Sequence, residues 1–146
     1  MTEDRIEREL VLPVAIERVW EALTDPAEVS EWFDIHTEID LRPGGAASFG
    51  WEKDGRFRAV VEEVDPPRRF AYRWCLDRET PVGEGPTTRV EFTLEEASEG
   101  TRLRLVESGF ASLPEGVRDR HLADNVSGWD ESLGDLARHL AAARSG

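Results

Sequence analysis

Apolar residues recur with two different periods along this chain, and the changes of period divide it into elements. Residues 5–12 alternate. Ile6, Arg8, Leu10 and Leu12 share one face, and Arg5, Glu7 and Glu9 share the other, which predicts an amphipathic strand. Pro13 ends it and suits the start of a helix. Ile16, Val19, Trp20 and Leu23 then recur at helical spacing. That helix stops at Thr24-Asp25-Pro26. Asp25 is placed to cap a second helix, and Pro26 takes its first position, which needs no backbone N–H. Val29, Trp32 and Phe33 form the apolar face of this second helix, which is too short to stand without packing on something larger.

From residue 35 the period becomes two. Ile35, Thr37, Ile39 and Leu41 alternate with His36, Glu38, Asp40 and Arg42, and Pro43-Gly44-Gly45 signals a turn. Ala47, Phe49 and Trp51 carry the next strand, Asp54-Gly55 predicts a tight hairpin turn, and Phe57, Ala59 and Val61 share a face after it. Glu62-Glu63-Val64 shifts the phase, which predicts a β-bulge. Pro66-Pro67 breaks the strand, and Phe70, Tyr72, Trp74 and Leu76 alternate again. Residues 77–86 lack periodicity and read as an exposed loop. Val90, Phe92 and Leu94 turn at Ser98-Glu99-Gly100 into Leu103, Leu105 and Glu107. The opposite faces of this hairpin carry Arg89, Glu91, Glu95, Arg102 and Arg104, suited to cross-strand ion pairs.

The strongest periodicity comes last, over about 117–143. Leu122, Val126, Trp129, Leu133, Leu136 (with Ala137) and Leu140 form one apolar stripe, and Asp124, Asp130, Glu131, Asp135 and Arg138 occupy the other faces. A helix with one apolar face must lie on something, and the sheet is the large apolar surface available. Gly128 and Gly134 each cost about 1 kcal/mol relative to Ala in a helix interior. They are expected to permit close backbone approach or to leave space for a ligand. The order strand, two helices, six strands, helix predicts one α+β domain over residues 1–146.

Composition narrows the partners. The net charge is −13, from 31 acidic and 18 basic residues, so the chain lacks the positive footprint that nucleic acids and anionic membranes require. Hydrophobic residues at 39% and charged residues at 34% argue against a membrane or disordered protein. No signal peptide or spanning segment is visible, which makes the cytoplasm the expected location. Lys53 is the only lysine. Cys75 is alone, in a strand-like run, and reads as a small buried hydrophobe. No His/Cys cluster has metal-ligand spacing, and no cofactor motif is present.

The run Ile16-Glu17-Arg18-Val19-Trp20-Glu21-Ala22-Leu23-Thr24-Asp25-Pro26, followed by Trp32-Phe33, resembles the opening of START-like helix-grip (SRPBCC) proteins. The resemblance is specifically to the branch named after the activator of Hsp90 ATPase homologue. Leu41 to Gly45, Val64 to Trp74, Gly100 to Leu103, Glu107 to Phe110, and Trp129 with Leu133 extend it over almost the whole chain. The resemblance implies a curved seven-stranded antiparallel sheet around the long C-terminal helix, with two short helices after the first strand. It also implies a cavity between sheet and helix. Members of the wider superfamily bind lipids, sterols, polyketides or plant hormones, and some are cyclases. The eukaryotic members of this branch assist Hsp90. These motifs are fold signatures and transfer no catalytic apparatus.

Candidate site residues are those expected between sheet and terminal helix. Trp20 reads as structural. Trp32, Trp51, Trp74 and Trp129 either fill the core or line an apolar pocket, and Phe33, Phe57, Tyr72 and Phe110 join them. The hydroxyl of Tyr72 needs a partner if buried. Glu107 falls on the inward face with Leu103 and Leu105. A carboxylate there must be paired, hydrogen-bonded or protonated. It reads either as a general acid or ligand anchor, or as a strand-end residue that reaches solvent or a backbone amide; the resemblance, in which an acidic residue before Gly-Phe belongs to the fold signature, implies the second. His36 points outward, His121 precedes the Leu122 stripe, and His139 lies near the helix end, where a cation suits the dipole. The 77–86 loop and the Gly45 hairpin are expected at the cavity mouth.

Three functional classes stay open. One is a binding module for a small apolar or amphipathic molecule, as monomer or weak homodimer. The second is a cyclase- or dehydratase-like enzyme using Glu107 or Tyr72 in the same cavity. The third is a chaperone-associated or other protein–protein module, which an exposed aromatic patch would favour.

Overall fold

The elements follow the chain as strand β1 (Arg5–Leu12), helices α1 (Ile16–Thr24) and α2 (Pro26–Trp32), strands β2 (His36–Ile39), β3 (Ala46–Trp51), β4 (Gly55–Asp65), β5 (Arg69–Cys75), β6 (Thr87–Ala97) and β7 (Gly100–Ser108), and helix α3 (Glu115–Ser145). The computed structural model describes residues 5–33, 36–51, 55–76, 82–110 and 113–145, with the side chains of 51, 55 and 142–145 outside the description. Ile35, the Asp54 half of the expected hairpin turn and the first half of the 77–86 loop therefore lie outside the described residues.

Alternation forms the strands, and one antiparallel seven-stranded sheet results, in the order β1-β7-β6-β5-β4-β3-β2. The first strand pairs with the last along its whole length, from Arg5 opposite Ser108 to Leu12 opposite Thr101. β1 and β2 thus occupy opposite edges, and α1 and α2 carry the chain from one to the other. The expected bulge is present, with the register between β4 and β5 shifting between Val61 and Glu63. It leaves Glu62 free to accept from Arg73 (3.1 Å) and Arg89 (2.8 Å) on the outer face. Such partly exposed pairs contribute up to about 1 kcal/mol each. The Pro66-Pro67 bond that ends β4 is cis.

The helix starts differ from expectation in one place. α1 begins at Ile16 and not at Pro13, because Val14 N–H bonds Leu12 O (2.9 Å) and bends the chain out of β1 first. α2 starts as expected, with Pro26 in its first turn and the Asp25 carboxylate accepting from Ala27 N (3.0 Å). A further departure concerns Leu41. β2 ends at Ile39, so Leu41 lies beyond the ladder and is exposed.

α3 has 31 residues, about 45 Å of helix. Its stripe is buried unevenly. Trp129, Leu133, Leu136 and Leu140 are buried against the sheet and the short helices, whereas Leu122 and Val126 are only partly covered. Polar ties hold the same C-terminal half. Arg8, on the inward face of β1, pairs with Asp130 at 2.7 Å. Glu28 on α2 meets both Arg18 (2.8 Å) and His139 (2.8 Å). Burial pushes the Glu28 carboxyl up, but hydrogen bonds from Arg18 and His139 outweigh it and hold the group below the ordinary carboxylate range. The N-terminal half of α3 has neither the burial nor these ties, and it overhangs the far end of the sheet.

Neither helix glycine marks a close backbone approach. A Cβ on Gly128 would meet nothing within 4 Å, and one on Gly134 would meet only the flexible end of Arg138 at 3.5 Å. Gly100 is the opposite case. Its φ is +141°, and a Cβ there would lie 2.1 Å from Leu12 O. Gly128→Ala is therefore expected to stabilise the fold by up to about 1 kcal/mol. Gly100→Ala should destabilise it by several times that, since strand β1 must move away. Denaturant unfolding of the two variants checks both signs.

Candidate functional site

Overhang of α3 opens a cavity of about 270 Å³ between the helix and the sheet. Phe33, Phe49, Phe57, Trp74, Cys75 and Leu76 form its floor and one side, and His121, Asp124 and Asn125 project from α3 on the other. β-Strand parity explains the floor. Phe49 on β3 faces Phe57 on β4 in register, and Trp74 follows Tyr72 on the inward face of β5. Helical spacing explains the roof, because residues 121 and 125 are one turn apart and share a face with Trp129.

A buried carboxylate stands behind this cavity. Glu107 is 0% exposed, at the inward end of β7, and receives donors from four side chains. Its Oε1 accepts from Trp129 Nε1 (2.7 Å) and Asn125 Nδ2 (3.1 Å). Its Oε2 accepts from Thr88 Oγ1 (2.5 Å), Trp74 Nε1 (3.0 Å) and Asn125 Nδ2 (2.9 Å). The two indole N–H groups can only donate, so the site is built for oxygens that accept. Among the described residues no Lys or Arg pairs with it. The network joins β5, β6 and β7 to α3, and it marks the boundary between core and cavity. On one side Trp129 stacks with Phe33 (5.9 Å) and Trp74 (5.8 Å) in solid packing, where the remaining void is only about 10 Å³. On the other side the cavity opens.

Of the nine residues singled out from sequence, Phe33, Phe57 and Trp74 line the cavity. Trp32, Tyr72 and Trp129 border only the small inner void. Trp32 is core, with its indole N–H bonded to Ala22 O (2.8 Å). Phe110 is fully buried and borders neither space. The side chain of Trp51 lies outside the described residues. Glu107 reaches neither solvent nor a backbone amide, contrary to the simpler expectation, because indole, amide and hydroxyl donors converge on it from two layers. Trp129 is held by Glu107 and by two stacked rings, Phe33 and Trp74.

Five cavity residues escaped the sequence reading, Phe49, Cys75, Leu76, Asp124 and Asn125, while His121 was seen only as a neighbour of the apolar stripe. Asn125 carried a usable signal. It stands one turn before Trp129 on a largely apolar face, and an inward glutamate elsewhere in the chain demands a donor.

The acid–base pair considered for an enzyme does not face the cavity. Tyr72 is pushed well above the ordinary phenol range, first by burial and then by the negative charge of Glu107. Both oxygens of Glu107 are occupied by donors. No large aromatic patch is exposed among the described residues either. The exposed large apolar side chains there are Val11 and Leu41, on opposite edges of the sheet. No helix among them is long and apolar enough to cross a membrane.

Two outcomes follow from this geometry. Glu107→Gln places an amide N–H₂ where donors converge, leaving at least one buried N–H without an acceptor. We expect a loss of about 2–4 kcal/mol in denaturant unfolding. Tyr72 is the only tyrosine, so its ionisation can be followed by ultraviolet difference absorbance. Its raised folded value means that its contribution to stability is fully present below the unfolded phenol value of about 10 and is lost as pH rises above that. Phenolate absorbance should therefore appear only together with alkaline unfolding; phenolate in the intact fold would contradict the burial.

Solved structures similar to this one share the architecture. Protein MLL2253 from Mesorhizobium loti is 25% identical with a TM-score of 0.82, over 94% of this chain and 97% of that one. DynU16, from the dynemicin biosynthetic locus, is 28% identical with a TM-score of 0.77, over 96% of this chain but only 48% of its own. CalU16 from Micromonospora echinospora is 28% identical with a TM-score of 0.68, over 93% of this chain and 74% of that one. No curated protein matches the chain. The sequence model described as "Activator of Hsp90 ATPase homolog 1-like protein" matches residues 13–141. With the helix-grip sheet, the overhanging helix and the cavity beneath it, the chain belongs to the Activator of Hsp90 ATPase homolog 1-like family.

Proposed function

We propose that the protein binds a small apolar or amphipathic molecule in the cavity beneath the N-terminal half of α3. The observation that carries this reading is the cavity's construction. Four aromatic side chains, Phe33, Phe49, Phe57 and Trp74, face a space of about 270 Å³ that the fold leaves unfilled. A protein interior ordinarily packs to a density that leaves few voids larger than a water molecule. A void of this size beside a tightly packed core therefore supports a ligand site. Its volume lies just below the range of about 300–1,000 Å³ for ligand pockets. That favours a compact ligand over a long lipid or a sterol. The DynU16 relative comes from a biosynthetic locus, a setting of small-molecule chemistry that agrees with the reading.

Titration with an uncharged naphthalene-based fluorescent probe tests it. We expect saturable one-site binding in the wild type. Leu76→Trp, which fills the cavity from its wall, should weaken binding at least about tenfold while retaining a cooperative thermal transition. Absence of saturable binding to the wild type would overturn the proposal. Native mass spectrometry of freshly purified protein gives an independent measure, through a co-purified small molecule lost in the same variant.

A further inference from the structure

The acidic residues of α3 differ in what they face. Asp119, Asp130 and Asp135 each stand against an arginine: Arg118 at 3.5 Å, Arg8 at 2.7 Å, and Arg138. Asp124 has no ion pair and no hydrogen bond among the described residues, and it lies exposed at the mouth of the cavity. A solvated carboxylate needs no partner for its own sake. This one borders a space walled by Phe33, Phe49, Phe57 and Trp74, where the polar end of an occupant would emerge.

The next residue adds a second acceptor. Asn125 turns its Nδ2 toward both oxygens of Glu107, at 3.1 and 2.9 Å, because a carbonyl oxygen there would meet acceptors only. Its Oδ1 is thereby directed away from Glu107. Among the described residues, the buried side-chain atoms left without a partner are Arg118 Nε and His121 Nε2. Asn125 Oδ1 also lacks a partner and is not one of these buried atoms, so it stays accessible on a residue that lines the cavity.

Resting on the reading that the cavity binds a small molecule, we propose that this molecule is an amphipathic primary amine, its apolar body against the four rings and its ammonium donating to the Asp124 carboxylate and Asn125 Oδ1 at the mouth. An ammonium has donors and no acceptor, the complement of these two groups. At the mouth it keeps part of its hydration, so it avoids the cost of carrying a charge into an apolar interior. No basic side chain competes for the acceptors. No Lys or Arg lines the cavity among the described residues, Arg118 faces Asp119, and Arg120 borders a separate cleft with Leu113 and Val117. His121 keeps its Nε2 sealed in the wall. A carboxylate ligand would meet Asp124 with no cation to offset it, in a chain of net charge −13.

Displacement of the naphthalene-based probe by 2-naphthylmethylamine, 2-ethylnaphthalene and 2-naphthoate tests the assignment at neutral pH and low salt. The three share one ring system and end in an ammonium, a methyl group or a carboxylate. In the wild type the amine should bind about tenfold more tightly than 2-ethylnaphthalene, the worth of a charge-assisted hydrogen bond, and 2-naphthoate more weakly than either. The N-trimethyl derivative of the amine, which has no N–H to donate, should lose part of that advantage. Asp124→Asn should remove most of it while 2-ethylnaphthalene binds as before. Glu99→Gln makes the same charge change in the exposed turn between β6 and β7, at the other end of β7 from Glu107, and should leave the advantage in place. Equal binding of the amine and 2-ethylnaphthalene to the wild type would overturn the assignment while leaving cavity binding intact. So would a preference for 2-naphthoate, full retention of the advantage by the N-trimethyl derivative or in D124N, an equal loss in D124N and E99Q, or failure of the amine to displace a bound probe. Absence of probe binding to the wild type would overturn the cavity reading and this assignment together.

Discussion

A carboxylate that has lost its water must be surrounded by donors, and much of this fold's geometry answers that need at Glu107. The four donors come from three elements: Trp74 from β5, Thr88 from β6, Asn125 and Trp129 from α3. Satisfying the group therefore requires the sheet to have its correct register and the helix its correct rotation at once. A one-residue slip of β7 would turn Glu107 outward, and a rotation of α3 would withdraw two of its four donors. The energy of such a network is small as a net sum and large as a penalty for any arrangement that leaves it incomplete. That asymmetry makes it a device of specificity.

The same network divides the interior. Trp129 is pinned by its indole N–H to Glu107 and by stacking with Phe33 and Trp74, so the helix is seated from there to Leu140. Asn125 is pinned one turn earlier, and among the described residues no side-chain hydrogen bond ties the helix to the sheet beyond it. The space under that overhang is the cavity. Packing and openness are thus two consequences of where the polar contact falls along α3. Trp74 stands on the boundary, with its indole N–H shared between Thr88 and Glu107 and its ring exposed to the cavity.

Much of the architecture was legible because it rests on local rules. The alternation of Phe70, Tyr72 and Trp74 and of Leu103, Leu105 and Glu107 could be read directly, as could the Asp25-Pro26 cap and the Glu62-Glu63 phase shift. The stripe from Leu122 to Leu140 correctly marked the terminal helix, but periodicity states only which face is apolar. It does not say how far that face will be covered. Trp129 and Leu122 look equivalent in the stripe, and they differ because only the former meets an acceptor and stacked rings. The misplaced glycines have the same cause. Gly128 breaks a local propensity, yet whether a neighbour requires the missing Cβ depends on what lies across from it, and nothing does.

The amino-acid sequence by itself determined the α+β order, the inward face of each described strand and the inward phase of the acid at position 107. Those follow from periods of two and 3.6 and from the side chains that fall on each phase. Only the tertiary structure decided what Glu107 is for and where the cavity lies. Both depend on contacts between residues far apart in the chain, such as Trp74 with Trp129 and Phe49 with His121 across one space. Backbone period constrains neighbours a few residues apart. The meeting of a strand and a helix that are distant in sequence is set by how whole layers pack. That packing made Glu107 an anchor and left the space beneath the helix unfilled.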